Sequence, residues 1–242
     1  MGKITSIIFI VLMTCLQVFA QKTTYTKWEW QKNTCQDCGI HFQVKKEDLE
    51  NKKTVEFLQT LAQQKKTIIG LYKSDPQEYN LLAHMAYGIL GNESEYFKSF
   101  RYLIKRNSQL AITTAKKIDA HLHGEDDIEA NSKGPTQIKK VPTKIAEHYK
   151  ITEKDLWKPF NAAVSTMGYL IEALKELKQR KKNNNWDFVT PSTYVDYLPY
   201  LYFGGVKKLI NRSATPETNI YVKNMKKNML RIKIYETRLQ SL

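Results

Sequence analysis

Cysteine is scarce in this chain: three residues in 242, at Cys15, Cys35 and Cys38. Cys35 and Cys38 form a Cys-x-x-Cys pair, but no second pair follows that would complete a four-cysteine zinc site. Nor does a thioredoxin-like strand–helix pattern surround it. In an oxidising compartment a small structural disulfide is the better expectation, and His41 nearby does not change it. Long apolar runs are also missing. The best of them, Ile7 to Met13, is too short to cross a bilayer, so no transmembrane segment is expected. Alternating strand patterns of convincing length are absent as well, which excludes an all-β fold and leaves a mostly α one. Acidic residues are in deficit, 24 against 38 Lys and Arg, for a formal charge of +14.

What is present explains part of this. Lys3, the apolar run and Val18-Phe19-Ala20 before Gln21 make residues 1–20 a secretory signal peptide. Lipidation at Cys15 is the alternative, disfavoured by Thr14 and by the good cleavage site. The mature protein is thus expected to be periplasmic or secreted. Losing Lys3 lowers its formal charge to +13. Export argues against nucleic acid as the partner of that charge and for an anionic envelope polymer or membrane surface. A basic solvated surface with no specific partner explains the charge equally well. The 42% hydrophobic share suffices for a core, and the length suits one domain or one with a small appendage.

Residues 21–75 read as an N-terminal arm and helix. The arm, to Gln43, is irregular, with Trp28, Trp30 and Phe42 to pack on the body. A helical pattern then runs from Lys46 to Tyr72 through Leu49, Val55, Leu58, Leu61, Ile68 and Leu71. Residues 76–242 form the main domain. Ser74-Asp75-Pro76 starts a helix with Pro at its first position, and Gly91 is its expected stop. Short helices are expected at Phe100–Ile104, Ala111–Leu122 and Thr143–Tyr149, with a capping box at Thr152–Asp155. Phe160 to Leu177 carries a continuous apolar stripe, followed by a solvated loop at Gln179–Asn185. Tyr194 to Phe203 is helical and closed by Gly204-Gly205. Thr215-Pro216-Glu217 is expected to cap a last basic helix reaching about Arg238.

The chemistry centres on Gly91-Asn92-Glu93-Ser94-Glu95-Tyr96. A carboxylate just past a buried helix can face a groove while partial burial raises its pKa, as an acid catalyst requires. His121-x-His123 followed by Glu125, Asp126 and Asp127 has metal-ligand chemistry but no partner elsewhere, so no metal and no cofactor are expected.

Four motifs in order resemble the lytic transglycosylase catalytic domain of the lysozyme-like superfamily. Glu93-Ser94-Glu95-Tyr96 is similar to the family's Glu-Ser-x-Phe, and Gly134-Pro135-Thr136-Gln137-Ile138 to its Gly-Leu-Met-Gln loop. Tyr169-Leu170, after Asp155-Leu156 and Pro159, resembles its Asp-Pro…Tyr-Leu segment. Tyr202-Phe203-Gly204-Gly205 with Glu217-Thr218-Asn219-Ile220-Tyr221-Val222 resembles Tyr-Asn-Ala-Gly followed by Glu-Thr-x-x-Tyr-Val. The chain departs at Thr136, Phe203 and Ala162, where the family has Met, Asn and Asn, and the interval from Glu93 to Gly134 is longer.

The resemblance implies a lysozyme-like helical domain that cleaves the β-1,4 bond between N-acetylmuramic acid and N-acetylglucosamine in peptidoglycan strands. Glu93 would be the sole acid and then the base, forming a 1,6-anhydro ring. Ser94, Gln137, Tyr202 and Tyr221 would contact substrate or orient Glu93. Glu95 is the rival acid. Two other readings stand beside it. One is a goose-type-lysozyme-like hydrolase recruiting Glu125, Asp126 or Asp127. The other is a non-catalytic glycan-binding envelope module. Lys223, Lys226, Lys227 and Arg231 offer a basic face for anionic wall, or simply a solvated one.

Overall fold

The computed structural model describes residues 28–30, 39–107, 132–211 and 215–236. The signal-peptide region, the Cys35–Cys38 pair, the Ala111–Leu122 segment and the His121–Asp127 loop lie outside them. Within them the chain is mostly α, as its apolar periodicity implies. Among the described residues no helix is long and apolar enough to cross a membrane.

Part of the expected irregular arm is β-structure. Strands β1 (Trp28–Trp30) and β2 (Ile40–Lys45) pair antiparallel, and β2 pairs on its other side with β3 (Ile232–Glu236). In β2, Ile40, Phe42 and Val44 are buried while His41, Gln43 and Lys45 alternate outward. This short alternation was legible in Ile-His-Phe-Gln-Val-Lys. The register sets Val44 opposite Ile232 and Ile40 opposite Glu236. It follows that the last helix does not run to Arg238.

Helices α1 (Lys46–Leu49), α2 (Lys52–Gln63) and α3 (Lys65–Tyr72) break up the first helical region. Helix α4 (Pro76–Ser94) begins as expected, with the Asp75 carboxylate accepting from the Gln77 and Glu78 amides at 2.7 and 3.0 Å. It does not stop at Gly91. That glycine lies buried in the last turns because a Cβ there would sit 2.6 Å from the Tyr96 hydroxyl and 2.7 Å from Asn228. Helix α5 spans Phe100–Asn107 and α6 spans Thr143–Tyr149. The capping box forms at Thr152 and Asp155, but it opens a single 3-10 segment, Glu153–Trp157.

Helix α7 (Pro159–Asn184) is the axis of the molecule. Ala163, Val164, Met167, Leu170, Leu174 and Leu177 are buried, and so are Ser165 and Thr166, because α2, α3, α4, α6 and α8 surround it. It continues through the Gln179–Asn184 run expected as loop, ending at Asn185 in the left-handed conformation. Helix α8 (Tyr194–Asn211) is broken at Gly205, whose φ of 66° and ψ of −169° only glycine adopts readily, and then resumes. Helix α9 (Ile220–Met229) is capped by Asn219, whose side chain accepts from the Val222 amide at 3.1 Å, rather than by Thr215. One hydrophobic cluster takes in Phe57 and Leu61 together with Leu82, Leu170 and Val222, so packing is continuous across residues 75 and 76.

Candidate active site

Helices α4 and α9 run antiparallel and unusually close. His84 Nε2 lies 2.6 Å from the Met229 carbonyl oxygen, and a Cβ at Gly88 would come within 2.8 Å of the Met225 carbonyl. Continuing that ladder one turn brings Glu93 opposite Tyr221, and the Tyr221 hydroxyl donates to Glu93 Oε1 at 2.7 Å. Two residues 128 apart in sequence thus meet because Gly88 and Gly91 have no side chains to hold the helices apart.

Just beyond Glu93 the backbone does something costly. Glu95, Tyr96 and Phe97 all adopt positive φ, at 47°, 57° and 65°. Each such non-glycine residue costs on the order of 1–3 kcal/mol and persists only where its surroundings enforce it. The enforcement is visible. The Tyr96 carbonyl accepts from Asn51 Nδ2 at 3.0 Å and Thr54 Oγ1 at 3.2 Å. The Tyr96 ring packs on Tyr87 with centroids 4.8 Å apart, and the Arg231 guanidinium lies over the Tyr96 ring at 5.6 Å. Arg231 in turn holds the buried Asp48 through Nε at 3.0 Å and Nη2 at 2.9 Å. It is therefore not part of a basic outer face; Lys226, meanwhile, pairs with Asp196 at 2.7 Å.

Glu93 opens into a cleft of about 570 Å³ that Gln137, Tyr169, Tyr202 and Phe203 also line. Burial pushes its carboxyl above the ordinary range, while the Tyr221 hydrogen bond and the charges of Lys105 and Arg101 pull it back. Tyr221 and Tyr202 are pushed well above the usual phenol range by burial and by the Glu93 charge, so both remain hydrogen-bond donors. Among the described residues lining this cleft Glu93 is the only carboxylate. Glu95 caps α4, is exposed, and borders only a smaller adjoining recess of about 210 Å³.

The other expected site residues divide. Gln137 sits at the cleft with a φ of 56°, in a tight turn closed by Lys133 and Ile138. Its Nε2 donates to the Gly134 carbonyl at 2.6 Å, and its Oε1 accepts from Ser132 at 3.1 Å and from Lys105 Nζ. Gly134 has a φ of 74°, and a Cβ on it would lie 2.4 Å from the Leu156 carbonyl oxygen. Tyr202 lines the cleft, but its hydroxyl donates to the Thr136 carbonyl at 2.6 Å and so anchors that turn. Ser94 is a correction. Its side chain is fully buried, donating to the Leu90 carbonyl at 2.9 Å and accepting from the Phe97 amide at 3.2 Å. It has no surface to offer a ligand and instead secures the left-handed turn.

Compared with protein-family models, curated proteins and solved structures, the chain matches none. What the site can do is therefore read from its own chemistry. At the positions where the chain departs from the motifs, Thr136 bonds the buried Thr166 hydroxyl at 2.9 Å. The Phe203 ring packs on Tyr221 with centroids 4.8 Å apart, an apolar wall beside Glu93. Sequence reasoning missed Arg101 and Lys105, which the i, i+4 spacing on the helix directly after Glu93 could have flagged. Lys139, two residues past Gln137, was missed with them. No group of three His, Cys, Asp or Glu side chains able to hold a metal occurs among the described residues.

Proposed function

We propose that this protein is a lysozyme-like peptidoglycan lytic transglycosylase, exported to act on glycan strands of the cell envelope. The observation that carries the reading is Glu93 itself, which accepts from the Tyr221 hydroxyl at 2.7 Å and lines a cleft whose described lining holds no second carboxylate. Three of the four motifs with a resemblance to one family supply Glu93, Gln137, Tyr202 and Tyr221 to this neighbourhood from distant parts of the chain, and the remaining one adds Tyr169 to the cleft wall.

Breaking a glycosidic bond needs a proton on the leaving oxygen and support for positive charge at the anomeric carbon. Glu93, whose protonated form burial favours, donates that proton as the bond between C1 of the muramoyl sugar and the leaving oxygen breaks. Its carboxylate then takes the proton of the same sugar's C6 hydroxyl as that oxygen bonds to C1. The ring closes as a 1,6-anhydro sugar, Glu93 is again protonated, and no water is consumed. An acid that becomes a base within one cycle works best with a pKa near the working pH. Burial and the Tyr221 hydrogen bond act on Glu93 in opposite directions, which suits that requirement. Tyr221, neutral throughout, fixes the carboxylate's orientation.

Mass spectrometry of purified sacculi treated with the mature protein and with Glu93→Gln tests the reading. Anhydro-muropeptides from wild type alone are expected. Reducing-end products would replace it with a hydrolase using a carboxylate such as Glu125, Asp126 or Asp127. Binding without release by either protein would leave a glycan-binding module.

A further inference from the structure

The aromatic wall that α7 and α8 give the cleft has no hydroxyl hydrogen left for a sugar. Tyr169 and Tyr202 line it with ring centroids 5.1 Å apart, and each phenol has one hydrogen to donate. Tyr169 donates to the Leu201 carbonyl at 3.2 Å, and Tyr202 to the Thr136 carbonyl at 2.6 Å. Tyr221 gives its hydrogen to Glu93 at 2.7 Å. Phe203, half-buried and lining the same cleft, has no polar side-chain atom. What this wall presents to a ligand is ring surface.

Phe203 is tied to the acid through a single ring. It packs on Tyr221 with centroids 4.8 Å apart and an interplanar angle of 34°, and Tyr221 holds Glu93. There is room next along the chain. Gly205 also lines the cleft, and a Cβ there would meet nothing within 4 Å. We propose that Phe203 is a specificity-determining residue of this cleft, and that its ring takes the apolar C–H surface of the N-acetylated sugar being cut. The proposal rests on the glycan-cleaving reading above and deepens it.

Two parts of such a sugar carry that chemistry. A β-1,4-linked pyranose turns its hydroxyls outward around the ring edge, which leaves C–H groups on its faces, and the acetamido group ends in a methyl. In either case weakly positive hydrogens meet the negative face of the aromatic ring, and apolar surface leaves water. The motif resemblance does not supply this contact, because Phe203 stands where the family has Asn. An amide recognises a sugar by hydrogen bonds; a phenyl ring recognises only shape and apolar surface. The exchange therefore moves selectivity in this chain from polar groups of the sugar to its C–H groups.

The test is a binding titration on Glu93→Gln, whose amide oxygen still accepts from Tyr221 and which leaves strands uncut. Peptide-free wall oligosaccharides are used in two forms. One is N-acetylated; the other is deacetylated and then N-formylated, which keeps a neutral amide and removes the methyl. Adding Phe203→Leu is expected to weaken binding of the N-acetylated form about 3- to 10-fold, and Phe203→Tyr, which keeps the ring, to restore it. If the methyl is the group held, the protein with Phe203 binds the formyl form about fourfold more weakly, and leucine shrinks that difference. If the C–H face is held, leucine weakens both forms alike. Melting curves check that each variant is folded, and Phe203→Met replaces leucine if leucine unfolds the chain. Equal binding by the phenylalanine and leucine proteins overturns the proposal and leaves Phe203 as packing for Tyr221, even if Phe203→Leu slows cleavage. A tyrosine variant as weak as leucine, or no binding of either form, overturns it too. Whether wild type releases fragments from sacculi is read separately, so failure of the enzyme reading is not confused with failure of this one.

Discussion

Replacing Gly88 by alanine tests whether the α4–α9 spacing sets the site. The new Cβ would lie 2.8 Å from the Met225 carbonyl oxygen and 2.7 Å from Met229 Cγ. The methionine side chain can swing aside, but the carbonyl is helical backbone and yields only if α9 moves. Overpacking of this kind costs about 1–3 kcal/mol. Propensity works the other way, since Ala exceeds Gly by about 0.8–1 kcal/mol in a helix interior. Gly70→Ala on α3 carries the propensity gain alone, because nothing lies within 4 Å of a Cβ there. The difference between the two variants therefore isolates the steric term. In a chain of this size 1 kcal/mol moves the melting temperature by about 2–4 °C. Gly70→Ala is expected to melt about 2–4 °C above wild type, and Gly88→Ala about 2–12 °C below Gly70→Ala. Displacing α9 also stretches the 2.7 Å Tyr221–Glu93 bond. At a temperature where both variants are fully folded, only Gly88→Ala should release glycan fragments more slowly. Calorimetry that finds the two variants melting together refutes the argument.

Ser94→Ala removes two buried hydrogen bonds from the left-handed turn and should lower stability by about 1–3 kcal/mol in urea unfolding, without weakening glycan binding by the folded protein. Tyr221→Phe deletes a hydrogen bond that favours the ionised carboxylate, so the pH profile of cleavage should shift upward. The rate at the optimum should fall about 10- to 100-fold. Glu93→Gln should stabilise the fold at neutral pH. Because burial raises the folded-state pKa, the protonated form is favoured by folding, and that contribution, complete in acid, is lost as pH rises through the folded value. Melting curves should show the variant's advantage growing with pH and vanishing below the usual carboxyl range. Arg231→Met leaves the buried Asp48 with the Tyr87 hydroxyl, 2.7 Å away, as its remaining side-chain partner among the described residues, and should cost about 3 kcal/mol in chemical denaturation.

Local pattern made most helices legible. The stripe from Phe160 to Leu177 could only be the central helix, and Asp75-Pro76 could only begin one. Ends were harder, because tertiary packing decides them. Gly91 reads as a stop in isolation, yet it continues the helix because Tyr96 and Asn228 need its empty side. The run Gln179–Asn184 reads as solvated, and it is, but on a helix that α7 simply carries outward. The chain after Met229 changes from helix to strand because β2 is there to pair with it, and β2 itself is a single short alternation. Within the site, proximity of Glu93 and Tyr221 followed from resemblance to a motif pair, and no local physics of either segment announces it. The inward turn of Ser94 was hidden because it depends on three residues taking the left-handed conformation, which Glu95, Tyr96 and Phe97 do not advertise.

The pairing of β2 with β3 has a consequence for when the protein becomes competent. Ile40 finds its partner at Glu236, and α9, which presents Tyr221, leads directly into that strand. A growing chain already carries Glu93 and most of its core, but the helix that orients the carboxylate is still unmade. Closing so long a loop adds little to the equilibrium cost, which rises only logarithmically with length, but contacts this distant form late. Maturation of the site is thus tied to synthesis past β3: the order in which residues emerge acts as a timer, withholding an oriented Glu93 carboxylate until α9 and its strand have followed.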